Sequence, residues 1–185
     1  MTSAFERFLQ LDKKISNSLR LTPGSGPSWK TAVLFAHSGD SWFWMGALGI
    51  TWLLTKGFWH NWSTFVAVCI VIQALLVFLI KFIFKRSRPP GEWGSIYRNT
   101  DPHSFPSGHA TRAVLLVTLA WLLGPAWLAV ILTVWAPLVS LSRVMTGVHY
   151  FLDILAGMVL GFVTALFLFP LQPLIMQLLP FLFYK

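Results

Sequence analysis

Three short stretches hold the residues of this chain that could do chemistry. Lys81 and Arg88 close an apolar run, and the segment SFPSGHATRA at 104–113 places a serine, a glycine and a histidine where a polar loop meets the next apolar run. His149 and Asp153 lie at the start of another run. Cations and helix N-termini bind anions, and a histidine beside a carboxylate can attack or take up a proton. Together these residue types indicate binding and cleavage of a phosphate group.

The first stretch, KFIFKRSRP, carries two of the cations. Lys81 and Arg88 are seven residues apart, which is two helical turns, so both can point into one site if the helix persists to the Arg-Pro pair. Pro89 then ends the helix. Taken alone, such a basic run also fits an anchor at the end of a membrane helix.

The second stretch has the pattern of a helix start. Ser107 follows Pro106 and is a candidate N-cap, which leaves the backbone N–H groups of Ser107, Gly108 and His109 to form an anion site. Gly108 allows close approach of an oxyanion, and His109 adds a proton that can be transferred. A capping serine with an incidental histidine is the alternative interpretation of the tetrapeptide alone.

The third stretch, SRVMTGVHYFLD, combines a cation with a His-Asp pair. His149 and Asp153 are four residues apart, so the carboxylate can accept a hydrogen bond from one imidazole nitrogen and leave the other facing the site. Gly157 and Gly161 continue the same helical stripe, and such small residues allow membrane helices to pack closely. The pair should therefore face the bundle, where a purely structural His-Asp pair is the alternative.

The composition indicates which elements position these residues. Hydrophobic residues make up 56% of the 185 residues and charged residues only 11%, which is typical of an integral membrane protein. We expect an all-α membrane helical bundle of about five to six helices, with an N-terminal interfacial helix over 5–20 and a short helix over 29–37. The predicted spans are 38–56, 62–84, 107–123, 126–143 and 149–169.

The whole chain is predicted to be one domain, 1–185. Interfacial and short helices occupy 1–37, the transmembrane core 38–169, and an apolar tail broken by two prolines 170–185. The polar loop at 85–106 and the connection at 143–150 are separated by two spans, so they emerge on the same side. The N-terminus lies on that side too, provided that 29–37 does not cross.

The three stretches, in this order, resemble the signature motifs of the type 2 phosphatidic acid phosphatase superfamily. The matching residues are Lys81-x6-Arg88-Pro89, Pro106-Ser107-Gly108-His109 and Ser142-Arg143-x5-His149-x3-Asp153. The apolar spans fit the membrane branch of this superfamily. The segments AHSGDSWFW at 36–44 and SFPSGHATRA at 104–113 are further similar to the branch of presqualene and polyisoprenoid diphosphate phosphatases.

The resemblance implies a role for each motif residue. His149 would be the nucleophile that forms a phosphohistidine, Asp153 would orient it, and His109 would be the general acid and later the base. The phosphoryl group would be held by Lys81, Arg88, Ser107, Gly108 and Arg143. Neither a cofactor nor a metal is expected. Independently, Glu92 and Asp101 are the only other carboxylates from Lys81 to Asp153, too few for a two-metal phosphatase.

Arg112 lies outside the motifs and needs a separate explanation. It follows His109 by three residues, one turn inside a span, where an unpaired cation is costly. It could bind the second phosphate of a diphosphate, or pair structurally with Asp40 or Asp153.

The function that follows from the resemblance is metal-independent hydrolysis of a lipid phosphate or diphosphate, with a polyisoprenyl diphosphate as the leading substrate. A lipid phosphotransferase using the same phosphohistidine, a non-catalytic lipid-phosphate transporter and a vanadium haloperoxidase are the alternatives. The net charge of +8 fits an anionic lipid headgroup, and we expect no nucleic-acid partner. The oligomeric state is left open.

The predicted location is a multi-pass membrane protein of a bacterial plasma membrane or a eukaryotic endomembrane. The resemblance implies an active site at one membrane surface, extracytoplasmic in a bacterium. The basic N-terminus would then lie outside as well, against the positive-inside tendency.

Overall fold

The structure, a computed structural model, describes residues 4–24, 26–91 and 93–184, without the side chains of residues 5 and 96–98. Within these residues the fold is entirely helical apart from one isolated bridge between Ser87 and His103. The α-helices are α1 (Ala4–Leu19), α2 (Gly26–Ser38), α3 (Ser41–Leu54), α4 (Phe58–Phe84), α5 (Ser95–Thr100), α6 (Gly108–Leu123), α7 (Ala126–Met145), α8 (Phe151–Leu168) and α9 (Gln172–Leu178). A short 3₁₀ turn, Phe169–Leu171, joins α8 to α9.

The five predicted spans correspond to α3, α4, α6, α7 and α8, each within a few residues of the expected bounds. Among the residues that the structure describes, three helical segments are long and apolar enough to cross a membrane: α4, α7 and the continuous stretch Phe151–Leu178. α3 and α6 are apolar but shorter, with 14 and 16 residues. The predicted all-α membrane bundle is confirmed, and the chain is an integral membrane protein.

α6 lies at the centre of the bundle and packs against α4, α7 and α8. Its Leu115, Leu116 and Leu119 are completely buried, together with Phe65 and Val66 of α4. A polar contact also joins the two helices, because Gln73 of α4 donates from Nε2 to the backbone carbonyl of Thr111 at 3.1 Å. In an apolar surrounding such a bond fixes the rotation of one helix against the other.

The predicted glycine stripe holds α8 directly against α6. A Cβ atom added at Gly157 would lie 2.7 Å from the carbonyl oxygen of Ser107, and one at Gly161 would lie 2.2 Å from that of Thr111. Both distances are far below van der Waals contact, so only glycine allows this approach. The stripe thereby fixes the start of α8, and with it Asp153, beside the start of α6.

Replacing Gly161 with alanine should therefore destabilise the fold. The new Cβ would collide with the backbone of α6, which cannot yield as a side chain can, and overpacking of this kind costs about 1–3 kcal/mol or more. Gly49→Ala in α3 is the matched control, because a Cβ there meets nothing within 4 Å. We expect thermal unfolding in detergent to show a lower midpoint for Gly161→Ala only. Equal midpoints for the two variants would contradict the close packing.

α1 is the interfacial helix predicted from the sequence, but its polar side chains have an unpredicted task. Phe8 and Leu11 are more than half exposed on the surface of the protein, as expected of a helix that lies in an interface. Asp12 and Ser16 are buried, and they accept hydrogen bonds from the first backbone N–H groups of α8. α1 thus supplies caps for the helix that carries the third motif.

α2 does not cross the bundle. Trp29 near its start and His37 near its end both contact Trp93 of the 85–106 loop, with ring centroids 5.6 and 6.1 Å apart. Arg20, which follows α1, donates from Nη1 to the carbonyl of Pro90 in the same loop at 2.6 Å. The N-terminal helices and the loop therefore lie at one end of the bundle, as the counting of spans predicts.

The tail folds back at the opposite end of the bundle. The carbonyl oxygen of Leu182 accepts a hydrogen bond from Trp52 at 2.9 Å, and the backbone N–H of Tyr184 donates to Asn61 at 2.7 Å. These contacts join the end of the chain to the α3–α4 turn. The short helices α5 and α9 were not predicted.

Candidate active site

One cavity of about 540 Å³ gathers the candidate residues of all three motifs. Seven of the nine predicted site residues line it: Lys81, Arg88, Gly108, His109, Arg112, Arg143 and His149. The other two, Ser107 and Asp153, are completely buried. Ser107 accepts a hydrogen bond from Ala110 in the first turn of α6, and Asp153 contacts His149 of the lining. The loop at 85–106 and the connection at 143–150 therefore meet, as predicted, and they meet at this cavity.

His149 lies between a carboxylate and a guanidinium. Its Nδ1 is 3.5 Å from Oδ2 of Asp153, and its Nε2 is 3.1 Å from Nη1 of Arg88. Since Arg88 can only donate, Nε2 carries the lone pair and Nδ1 carries the proton that faces Asp153. Burial in the connection between α7 and α8 lowers the pKa of His149 to about 3, so the imidazole is neutral. A neutral, oriented imidazole is the form that can act as a nucleophile.

Asp153 is held by contacts that sequence reasoning missed. Arg86 donates from Nη1 to Oδ1 of Asp153 at 2.7 Å, and the backbone N–H of Tyr150 donates to Oδ2 at 2.9 Å. The same guanidinium pairs with Asp12 of α1 and lies 4.2 Å over the ring of Tyr150. Arg86 and Asp12 thus fix the carboxylate that faces His149. The position of Arg86 at the end of an apolar run was the only signal in the sequence, and Asp12 lies among the charges of the N-terminal segment.

Lys81 and Arg88 converge, although not by the route predicted. α4 ends at Phe84 and Lys85 adopts a left-handed conformation with φ of 47°, so the helix does not persist to the Arg-Pro pair. Both cations nevertheless pair with the carboxylate of Asp101, Arg88 at 2.8 Å. Asp101 is partly exposed at 44% of its side chain, whereas the two cations are buried. An anion bound by these cations would take the place of that carboxylate.

The start of α6 agrees with the predicted cap and corrects one detail. Ser107 is the N-cap, and its hydroxyl accepts from the backbone N–H of Ala110 at 3.5 Å. The N–H of Ser107, which we expected to face an anion, donates instead to the carbonyl of Asp153 at 2.9 Å. This bond ties the second motif to the third. At Gly108 an added Cβ would meet only Val77, at 3.7 Å, so the space beyond it is the cavity itself.

Arg143 brings a third cation to the cavity from the last turn of α7. Arg143 is completely buried, and it lines the cavity together with both histidines. The large cost of burying a guanidinium is offset when an anion can bind next to it. Arg143 therefore extends the positive field that Lys81 and Arg88 create.

His109 contacts a carboxylate that the motifs do not include. Its Nε2 is 2.8 Å from Oδ1 of Asp40, and the other oxygen of Asp40 is 3.0 Å from Nδ1 of His37. Although burial of Asp40 opposes its ionisation, the hydrogen bonds with His109 and His37 hold the pKa of the carboxyl well below its usual range. His37 and Asp40 lie outside the three motifs, and the structure connects them to the cavity through His109.

Arg112 is bound by the turn between α2 and α3. It donates from Nε to the carbonyl of Gly39 at 3.0 Å, from Nη2 to the same oxygen, and from Nη1 to the hydroxyl of Ser41 at 2.6 Å. The partner is therefore the backbone and hydroxyl flanking Asp40, and neither carboxylate proposed from the sequence. Three of the five guanidinium N–H groups are already used within the protein.

A second, apolar cavity of about 410 Å³ adjoins the first between α3 and α4. The two share Ser41, Ala74 and Phe78 in their lining, and the second continues along Met45, Val71 and Leu75. Leu75 and Phe78 are more than half exposed on the side of the bundle. The cavity that holds the charged side chains therefore opens sideways into an apolar groove.

Sequence comparison places this arrangement among known proteins. The profile of the PAP2 superfamily matches residues 62–176. An undecaprenyl-diphosphatase of Sulfolobus acidocaldarius is 37% identical, over 51% of this chain and 47% of its own length. A probable lipid phosphate phosphatase beta of Arabidopsis thaliana is 30% identical over 53% and 60%. A decaprenylphosphoryl-5-phosphoribose phosphatase of Mycobacterium tuberculosis is 34% identical over 71% and 73%. The chain thus spans less than two thirds of the first two relatives.

Two solved structures share the fold. LpxE of Aquifex aeolicus superposes with a TM-score of 0.66 at 22% identity, covering 88% of this chain and 94% of that protein. The PAP2-type phosphatidylglycerolphosphate phosphatase of Bacillus subtilis superposes with a TM-score of 0.72 at 23% identity, covering 91% and 88%. At this identity the likeness concerns the architecture, which is that of a transmembrane helical bundle.

Proposed function

The chain belongs to the PAP2 superfamily, and we propose that it is a metal-independent phosphatase that removes a phosphoryl group from a lipid phosphate or diphosphate through a phosphohistidine. One observation carries this proposal. A buried neutral histidine, His149, is oriented between Asp153 and a cation at the wall of a cavity that also holds a second histidine and further cations. This set contains a nucleophile, a proton donor and an oxyanion site.

The reaction takes two steps. In the first, Nε2 of His149 attacks phosphorus, the bond from phosphorus to the leaving oxygen breaks, and that oxygen takes the proton of the His109 imidazolium. In the second, water attacks the phosphohistidine, His109 takes one proton of the water, and the phosphorus–nitrogen bond breaks. The enzyme returns to its starting protonation state, so the net reaction consumes one water molecule.

The cations act on the charge of the phosphoryl group. Lys81, Arg88 and Arg143 line the cavity together with His149, where they would neutralise the equatorial oxygens as the bond breaks. The backbone at Gly108 would let an oxygen approach the start of α6. Binding of the phosphoryl group requires the carboxylate of Asp101 to leave Lys81 and Arg88.

The groove between α3 and α4 supports a lipid as the substrate. A headgroup in the polar cavity would leave its tail along Met45, Val71 and Leu75, where the wall is apolar and reaches the side of the bundle. Two of the relatives are named for polyisoprenyl substrates. A polyisoprenyl diphosphate is therefore our leading substrate, with a polyisoprenyl monophosphate as the closest competitor.

The purified protein should release phosphate from both polyisoprenyl compounds in the presence of a chelator, with the larger kcat/KM for the diphosphate. Adding a short-chain phosphate measures the contribution of the tail, and adding an alcohol reveals a phosphotransferase through a new lipid product. Binding of the substrates without phosphate release would refute the proposed activity.

The same two substrates test the role of Arg112. Since its bonds to Gly39 and Ser41 use three of its N–H groups, Arg112→Ala should lower kcat/KM for the diphosphate and the monophosphate by the same factor, about 10-fold or more. The comparison on one variant cancels changes in folding and yield. A selective loss of the diphosphate, by a further 10-fold, would instead assign Arg112 to the second phosphate.

A further inference from the structure

Asp40 brings a carboxylate into contact with the second histidine of the site. Both of its oxygens are engaged by rings: Oδ1 by Nε2 of His109 at 2.8 Å, and Oδ2 by Nδ1 of His37 at 3.0 Å. Trp42 adds a third contact, from Nε1 to Oδ2 at 3.3 Å. The side chains of Asp40 and His109 are 12% and 14% exposed, whereas His37 is 50% exposed. The row of three side chains thus runs from the cavity to the surface.

Capping of α3 does not explain why a carboxylate is buried at position 40. Asp40 occupies the N-cap position of α3, but its side chain makes no capping hydrogen bond. Burying a carboxylate is costly unless it is paired, and its partners here are two histidines, which need not carry charge, and the neutral indole of Trp42. The turn around Asp40 is held in place by other contacts, because Arg112 binds Gly39 and Ser41 on either side of it.

The surroundings of His109 explain what the carboxylate can do. A general acid must carry a proton, yet the charged side chains that line the same cavity are mainly cations, which disfavour an imidazolium. The titratable and charged groups that surround it are Asp40 from the α2–α3 turn with His37 from the end of α2 behind it, Arg112 from α6, Arg143 from α7, and, across the cavity, Lys81, Arg88, Asp101, His103 and His149. Asp40 places a negative charge in direct contact with the ring.

We propose that Asp40 is the positioning residue for the general acid of this site, holding the His109 ring in place and stabilising its protonated form, with His37 fixing the outer carboxylate oxygen. The inference rests on the proposed function, because it assigns a task in that same reaction. The site then contains two His-Asp pairs with opposite tasks. Asp153 orients a histidine that reacts in its neutral form, and Asp40 supports a histidine that reacts in its charged form.

The proton balance of the reaction leaves His37 no task in proton transfer. His109 gives its proton to the leaving oxygen and regains one from the attacking water, so no proton has to enter from the surface during a turnover. His37 therefore serves to hold the carboxylate of Asp40 in position. Its loss should cost less than the loss of the carboxylate charge.

The test compares leaving groups on one variant. An alkoxide leaving group needs a proton from the acid, whereas a nitrophenolate does not, so the two substrates are a long-chain polyisoprenyl monophosphate and a nitrophenyl phosphate that carries an alkyl tail on the ring. Asp40→Asn should lower phosphoenzyme formation from the first by about 10- to 100-fold and from the second by less than about threefold. His37→Gln should give the same pattern with a smaller loss.

The pH profile supplies a readout that a merely structural residue would not move. Without the carboxylate, the His109 imidazolium loses its proton at a lower pH, so the alkaline limb of kcat for the monophosphate should move to lower pH in Asp40→Asn. Equal losses on both substrates with an unchanged profile, or no loss at all, would overturn the inference while leaving the wild-type activity in place. A wild type that cleaves neither substrate would overturn the proposed function and this inference together.

Discussion

Replacing His149 with alanine should abolish phosphate release, with a loss on the order of 10⁴-fold or more in kcat. The variant keeps the cations and the start of α6, so it should still bind the lipid phosphate in the cavity. It lacks the nitrogen that forms the bond to phosphorus. Steady-state release of inorganic phosphate from the polyisoprenyl diphosphate measures the loss.

A second histidine provides the matched control. His60 lies in the first turn of α4, where its ring contacts the carbonyls of Trp52 and Leu182, and Lys81 is 21 residues further along the same helix. At 1.5 Å per residue that separation is about 30 Å. His60→Gln should therefore keep its activity. Substantial turnover by His149→Ala would remove the histidine nucleophile from the account.

Replacing His109 with alanine should give the second largest loss, and one that depends on the leaving group. General acid catalysis contributes about 10²- to 10⁴-fold, and that contribution should disappear for a monophosphate, whose leaving group is an alkoxide. The diphosphate should lose less in the first step, because its leaving group is a phosphate. The second step should slow for both substrates, since the base that activates water is missing.

An accumulating phosphoenzyme is the signature of this variant. Rapid-quench measurements with the diphosphate should show a burst of covalent phosphate in His109→Ala, followed by slow release. Ser95→Ala at the start of α5 is a mild surface change outside the cavity lining, and it should behave as the wild type. A uniform slowing with no covalent intermediate would mean that His109 does not act on the water step.

The parts of the fold that sequence could predict depend on local pattern. Apolar runs predicted the bounds of α3, α4, α6, α7 and α8 within a few residues, and the four-residue stripe from His149 to Gly161 correctly gave the face on which α8 packs. Ser107 was identifiable as an N-cap because a cap is a property of four neighbouring residues. The short helix α5 lies in a polar loop without such a pattern.

The parts that sequence missed depend on contacts between distant segments. Asp12 reaches Arg86 across 74 positions, and Asp40 reaches His109 across 69. No spacing rule relates residues so far apart, and buried charge in a membrane protein signals only that a partner must exist. Arg112 shows the same limit, because its need for a partner was predictable and the identity of that partner, the backbone of Gly39, was not.

The central claim is that the phosphoryl group becomes bonded to His149, and trapping that bond tests it most directly. The purified protein is mixed with a polyisoprenyl diphosphate labelled in its terminal phosphate, quenched in alkali within the first turnover, and digested for peptide mapping. The account predicts an alkali-stable, acid-labile label on the peptide that contains His149, stronger in His109→Ala and absent from His149→Ala. Rapid phosphate release by the wild type without label in any peptide, or with label on another residue, would contradict it.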